Sequence, residues 1–274
     1  MNRRFAQVDV FGSGPCSGNP VAVTLDAEGM TNEEMQRFAR WTNLAETTFV
    51  LPPTRPEADY RVRIFTPVLE LPFAGHPTLG TCHAWLEAGG EAGEEIVQEC
   101  DAGLVRIRRE AESLAFAAPP MVRSGPASDE DRAKVAEALK VEPGELLAVE
   151  WVDNGPGWIT ALLASPERLL ELRPGPLEFD LGAVALHPPG SEPAIELRAW
   201  APVNGMAAED PVTGSLNASV AQWLLADGRL TAPYLAHQGT AIGREGRIHV
   251  SESDGEIWIG GRTETVISGS AKPQ

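Results

Sequence analysis

Cysteine is scarce in this chain, and a long apolar run is missing altogether. The three cysteines among 274 residues, Cys16, Cys82 and Cys100, are odd in number and share no metal-like spacing. That pattern excludes a disulfide scaffold and points to three reduced thiols. No run of about 18 apolar residues is present, so no segment reads as a membrane-spanning helix. Nor does Met1-Asn2-Arg3-Arg4 lead into an apolar core, and the expectation is a cytoplasmic protein without a secretion signal. Basic residues are few, 22 against 39 acidic, and the net charge of −17 repels nucleic acid and anionic membrane at long range. An anionic small molecule would have to be held by local groups.

The common catalytic signatures are missing too. There is no Gly-x-Ser-x-Gly elbow and no phosphate-loop lysine. Gly12-Ser13-Gly14-Pro15-Cys16-Ser17 has the outline of a dinucleotide fingerprint, but Ser17 spoils its last position and Gly18-Asn19-Pro20 follows where a helix should start. His83, His187, His237 and His249 are scattered and form no metal set. Neither a metal nor a cofactor is expected.

What is present is a globular composition, 43% hydrophobic and 22% charged, on a chain long enough for one large domain or two ordinary ones. Alternation predicts strands at Phe5–Phe11, Val21–Leu25, Thr47–Leu51, Tyr60–Phe65, Ile96–Cys100, Leu104–Arg109 and Leu114–Ala117. Further strands are expected at Leu146–Trp151, Trp158–Leu163, Ala194–Trp200, Ala241–Ile242, Arg247–Val250 and Ile257–Gly260. Thr31 with Glu34 forms a capping box ahead of an amphipathic helix ending near Asn43. Ser128 with Asp131 opens what reads as the equivalent helix of a second half, through Leu139. Ser268–Gln274 is expected to fray. Asp153-Asn154-Gly155-Pro156-Gly157 is turn chemistry, with a cleft rim as its other possible use.

The chain also repeats itself. Phe73-Ala74-Gly75-His76-Pro77-Thr78-Leu79-Gly80-Thr81 is echoed by Asp210-Pro211-Val212-Thr213-Gly214-Ser215-Leu216-Asn217-Ala218, with Pro77 on Pro211, Gly80 on Gly214 and Thr81 on Ser215. Upstream, Arg63-Ile64-Phe65-Thr66-Pro67 reads against Arg198-Ala199-Trp200-Ala201-Pro202. Two copies of one unit follow, residues 1–120 and 128–274, joined by a Pro/Gly/Ser-rich linker at about 119–127. No charged residue occurs from Pro77 to Leu86 or from Pro211 to Ala226, so each half is expected to wrap antiparallel strands around a buried helix, an α+β architecture. Gly89 and Gly228 mark the helix stops.

Proline suits a first helical position, which makes His76 and Asp210 the expected N-caps at two equivalent helix mouths. Helix starts present backbone N–H groups and positive partial charge, a ready site for a carboxylate. Glu46, between a helix end and a strand in apolar company, is the candidate acid/base. Enclosure would raise its pKa towards the range where one carboxyl group can take and return a proton.

Together, Val8-Asp9-Val10-Phe11, Gly18-Asn19-Pro20-Val21-Ala22-Val23, Asn43-Leu44-Ala45-Glu46-Thr47, Arg63-Ile64-Phe65-Thr66-Pro67, Glu70-Leu71-Pro72-Phe73-Ala74-Gly75-His76-Pro77-Thr78 and Glu209-Asp210-Pro211-Val212-Thr213-Gly214-Ser215 resemble the PhzF, or phenazine-biosynthesis-like, family. The resemblance covers nearly the whole chain, the Gln238-Gly239 and Gly243-Arg244 segment included. It implies a diaminopimelate-epimerase-like fold, two pseudo-symmetric domains with the active site between them. It further implies a cofactor-free isomerase acting on a small anionic substrate, with Glu46 moving a proton between carbons. His76 and Asp210 would hold and polarise the substrate, Gly75, Gly214 and Ser215 would bind it, and a homodimer is suggested. Epimerases of this type use two cysteines at the helix mouths; this chain has no thiol there. Two other readings remain open. One is a racemase or epimerase of an amino-acid derivative, with Glu46 opposed by His76 or Asp210. The other is a non-catalytic binder of small carboxylates.

Overall fold

The structure is a computed structural model that describes residues 2–110 and 113–273. It divides into two compact units, residues 1–117 with 260–274, and residues 118–259. The sequence places the whole tail with the second half, whereas residues 260–274 belong to the first unit.

The first unit runs β1 (Arg3–Val10), β2 (Asn19–Thr24), α1 (Asn32–Thr42), β3 (Glu46–Leu51), β4 (Tyr60–Phe65), β5 (Glu70–Leu71), α2 (Gly75–Glu87), β6 (Glu95–Cys100), β7 (Gly103–Arg109) and β8 (Leu114–Ala117). The second runs β9 (Arg123–Pro126), α3 (Asp129–Leu139), β10 (Ala148–Asp153), β11 (Ile159–Leu163), α4 (Pro166–Glu171), β12 (Leu181–Leu186), β13 (Ile195–Val203), β14 (Met206–Asp210), α5 (Gly214–Ala226), β15 (Tyr234–Gln238), β16 (Gly246–Ser253) and into β17 (Glu256–Gly261). Finally β18 (Thr263–Ala271) returns to the first unit. There it pairs antiparallel with β1, Ser268 opposite Ala6 and Ala271 opposite Arg3. The expected fraying of Ser268–Gln274 is therefore wrong as far as Ala271, and Gln274 lies outside the described residues. Ala241–Ile242, read as a strand, is part of a short 3-10 turn at Thr240–Ile242. The linker stretch is not a free connector either, since β9 pairs with β10.

Pairing order makes the repeat explicit. In the first unit β1 and β2 are antiparallel, β2 and β3 parallel across α1, β3 and β4 antiparallel, and β4 and β6 parallel across α2. In the second, β10 and β11 are antiparallel, β11 and β12 parallel across α4, β12 and β13 antiparallel, and β13 and β15 parallel across α5. The counterpart of α1 is therefore the short helix α4. The helix at Ser128, α3, precedes β10 and has no counterpart in that series. Capping misled here: Ser128 does cap α3 and Thr31 does cap α1, but good caps mark helix starts and carry no information on topology.

The same pairings correct the alignment of the buried helices. Phe65 opposes Glu70, and Trp200 opposes Glu209. Arg63 grips Glu70 by two hydrogen bonds of 2.7 and 2.6 Å, and Arg198 grips Glu209 by two of 2.9 and 2.6 Å. Each guanidinium also lies over the ring two residues on, Phe65 at 5.1 Å and Trp200 at 4.7 Å. Counting forward from Glu70 and Glu209, Pro72 falls on Pro211, Gly75 on Gly214 and His76 on Ser215. Both helices then run 13 residues, and Gly89 and Gly228, at φ +97° and +66°, end both in the left-handed region. The hairpin between Trp200 and Glu209 is longer than that between Phe65 and Glu70. Matching Pro77 to Pro211 by identity ignored that insertion and slid the second helix out of phase.

Helix α2 is buried as expected, with Gly75 to Cys82 and Ala84 all in the interior. It touches β1, β2, β3, β8 and β18, so the sheet curls around it. Gly80 permits this approach, because a Cβ there would sit 2.3 Å from Val21 Cγ1. In the second unit Gly182 does the same for Leu216 of α5, at 2.9 Å.

Candidate active site

Glu46 opens β3, beside Val21 of β2. Asn43, left-handed at φ 56°, turns the chain out of α1, and Thr42 and Thr47 join hydroxyls at 2.7 Å to hold the corner. This brings the Glu46 carboxylate to the mouth of α2, where its Oε2 lies 3.2 Å from His76 Nε2. Both side chains are secluded, 16% and 5% exposed. On its other side the imidazole is held by Asn19, whose side-chain amide nitrogen lies 3.2 Å from Nδ1. Burial pushes the His76 pKa down to about 3 against the pull of the Pro20 carbonyl, so the ring is neutral at physiological pH. When the Asn19 amide donates to Nδ1, the ring proton sits on Nε2, the nitrogen nearer the carboxylate, though the two groups lack the angle of a hydrogen bond.

His76 is not the N-cap of α2. That position is Ala74, which offers no side-chain cap, and His76 is the second residue of the helix. The first intrahelical bond runs from Thr78 N–H to the Ala74 carbonyl. The N–H groups of Gly75 and His76 therefore have no intrahelical acceptor, and Pro77 has no N–H at all.

Asp210 is not an N-cap either: it ends β14, and Thr213 holds the N-cap position of α5 without a side-chain capping bond. The two are linked, since the Thr213 hydroxyl donates to Asp210 Oδ2 at 2.6 Å. Gln238, from β15, braces this corner. Its Oε1 accepts from Thr213 N–H (3.0 Å) and Asn217 Nδ2 (2.9 Å), and its Nε2 donates to the Asp210 carbonyl (3.1 Å) and Thr213 Oγ1 (2.9 Å). Ser215, expected one turn inside the helix, is the second residue of α5 and occupies the place His76 has in α2.

The structure thus brings Glu46, His76 and Gly75 together in the first unit, and Asp210, Gly214 and Ser215 together in the second. Sequence reasoning gave no role to Asn19, Gln238 or Trp158, and placed Asn154 only in a turn or cleft rim. The first two lie in quoted motifs, Gly18-Asn19-Pro20 and Gln238-Gly239. Nothing in the sequence shows that Trp158 reaches Ser215. Cys82, buried within α2, has its thiol pushed up to about 12 by burial, so it is no thiolate acid/base.

An α+β unit written twice, each copy closing on the first turn of a buried helix, is the architecture of a class shared with solved enzymes of known family. A PhzF-family phenazine biosynthesis protein from Bacillus anthracis superposes with a TM-score of 0.84 over 99% of both chains at 23% identity. The chain belongs to the phenazine biosynthesis-like (PhzC-PhzF) family, whose pattern it matches over residues 8–271. It is 35% identical over 92% of its length, and 92% of the relative's, to trans-2,3-dihydro-3-hydroxyanthranilate isomerase of Pseudomonas aeruginosa. It is 33% identical over 97% of its length, and 98% of the relative's, to the protein of Schizosaccharomyces pombe named antisense-enhancing sequence 1. Its family and its relatives make it an isomerase. Among the described residues no helix is long and apolar enough to cross a membrane.

Proposed function

We propose that this enzyme moves a proton between two carbons of a small, cyclic, unsaturated carboxylate, without a cofactor and with Glu46 as the general acid/base. The observation that carries the reading is the secluded Glu46–His76 contact at 3.2 Å, a carboxylate and a neutral imidazole at the start of a buried helix. Such a pair is suited to proton transfer at neutral pH.

In this reading the ionised Glu46 takes a proton from a carbon acidified by a conjugated carboxylate. The electron pair left behind spreads into the unsaturated system and the carboxylate. Donors at the mouth of α5, the Ser215 hydroxyl and the first-turn N–H groups, hold that charge, and Asp210 orients the substrate. The same Glu46 then returns its proton to a second carbon on the same face, so atoms and charge balance and the double bond has shifted. The isomerase of Pseudomonas aeruginosa is named for a dihydro-hydroxyanthranilate, which is a carboxylate of this class.

A racemase needs two acid/bases on opposite faces of one carbon. Glu46 and His76 lie 3.2 Å apart on one side, which disfavours them as such a pair. The test is proton NMR of the enzyme with dihydroaromatic amino acids and with proline-type amino acids in D₂O. A shifted double bond supports the proposal, whereas inversion at a single carbon replaces it with the racemase reading.

A further inference from the structure

The hydroxyl of Ser215 is held by a residue far from it in sequence. Trp158, 4% exposed at the entry to β11, donates its indole N–H to Ser215 Oγ at 3.1 Å. Four residues earlier, Asn154 donates its side-chain amide to the Ser215 carbonyl at 2.8 Å. The turn between them is itself pinned, because Asp153 Oδ1 accepts from the N–H groups of Gly155 and Gly157, both at 2.7 Å. One short loop therefore addresses Ser215 twice.

A serine hydroxyl has one proton to give and two lone pairs. Trp158 occupies a lone pair. Ser215 is only 8% exposed, yet no group among the described residues accepts its proton. A buried donor without an acceptor is costly, on the order of 1–3 kcal/mol, and in a native site it marks a place where a ligand completes the bonding. The first unit repeats the device: His76, in the same helical position, is held through Nδ1 by Asn19 at the start of β2, the strand that corresponds to β11.

We propose that Trp158 is a positioning residue that turns the Ser215 hydroxyl into a donor for a carboxylate oxygen of the substrate, and that the Asp153–Trp158 loop thereby sets the site's preference for an acceptor ligand. This rests on the reading of the α5 mouth as the substrate's anion site. The Trp158 indole touches Ser215 and acts through it.

The experiment is a double-mutant cycle on binding, read by calorimetry with anthranilate and with its uncharged amide, anthranilamide, as probes. Trp158→Phe should weaken anthranilate about three- to tenfold, the worth of one oriented hydrogen bond, and should weaken anthranilamide less. In a Ser215→Ala background the same change should cost nothing further. Should Trp158→Phe fail to fold, 3-benzothienylalanine at position 158 keeps the ring's volume, removes only the N–H, and should give the same loss. If Ser215→Ala binds anthranilate as the wild type does, the anion-site reading falls and this inference with it. If Ser215→Ala weakens binding but neither change at 158 does, or the loss at 158 persists without the Ser215 hydroxyl, the positioning role alone is overturned.

Discussion

Asp180 stands in the second unit where Glu46 stands in the first. Thr47 opposes Phe65 and Leu181 opposes Trp200, so with Phe65 matched to Trp200 the residue entering β3 corresponds to the residue preceding β12. Burial, with the nearby Asp153 charge adding to it, raises the Asp180 carboxyl to about 6 from the usual 3.8. The folded state therefore holds more protons than the unfolded one between those values, and stability falls as pH rises through that window. Above it Asp180 is charged and destabilising. Asp180→Asn should stabilise the protein by roughly 1–2 kcal/mol at pH 8, with the gain shrinking towards zero near pH 4. Urea unfolding at the two pH values checks this.

His76 works in the opposite window. Its imidazole titrates near 6.5 when unfolded and is lowered to about 3 by burial when folded. Between these values the unfolded chain binds the extra proton, so stability is lost as pH falls, by up to roughly 1.4 kcal/mol per pH unit. His76→Gln should flatten the acid limb of stability against pH between 3 and 6.5 and leave pH 8 less affected. On the proposed mechanism it should also lower turnover about a hundredfold or more. An unchanged acid limb in the variant would show that the ring is not buried neutral.

Gln238 makes four hydrogen bonds at the start of α5, to Thr213 twice, Asn217 and the Asp210 carbonyl. Gln238→Ala leaves several buried polar groups without partners and should cost about 2–4 kcal/mol of stability. Thermal melts give that number. Because the same bonds hold Asp210 and the first turn, KM for the substrate should rise as well.

These contacts explain what the sequence made legible and what it hid. Charge-free stretches beginning at Pro77 and Pro211 were enough to identify two buried helices, because burial on all sides forbids ionised residues whatever the packing partner. The capping box at Thr31 and the stops at Gly89 and Gly228 were equally readable, being set by local backbone chemistry. The phase between the two helices was not, because it depends on a hairpin insertion after Trp200 that only strand pairing reveals. Strand β18 escaped for a similar reason: it is ordered by pairing with β1, at the far end of the sequence. At the site, Glu46 and His76 were nameable as chemistry. Their bracing by Asn19, and that of Ser215 by Trp158, arises from tertiary contacts with no local signature.

Whether Glu46 carries the migrating proton is decided by comparing the wild type with Glu46→Gln on a substrate that the wild type isomerises, followed by NMR in D₂O. The amide keeps the shape and loses the basicity, so the substrate should still bind while isomerisation falls by at least about a hundred- to ten-thousandfold, with no deuterium entering the product carbon. Turnover by Glu46→Gln at the wild-type rate would contradict that role.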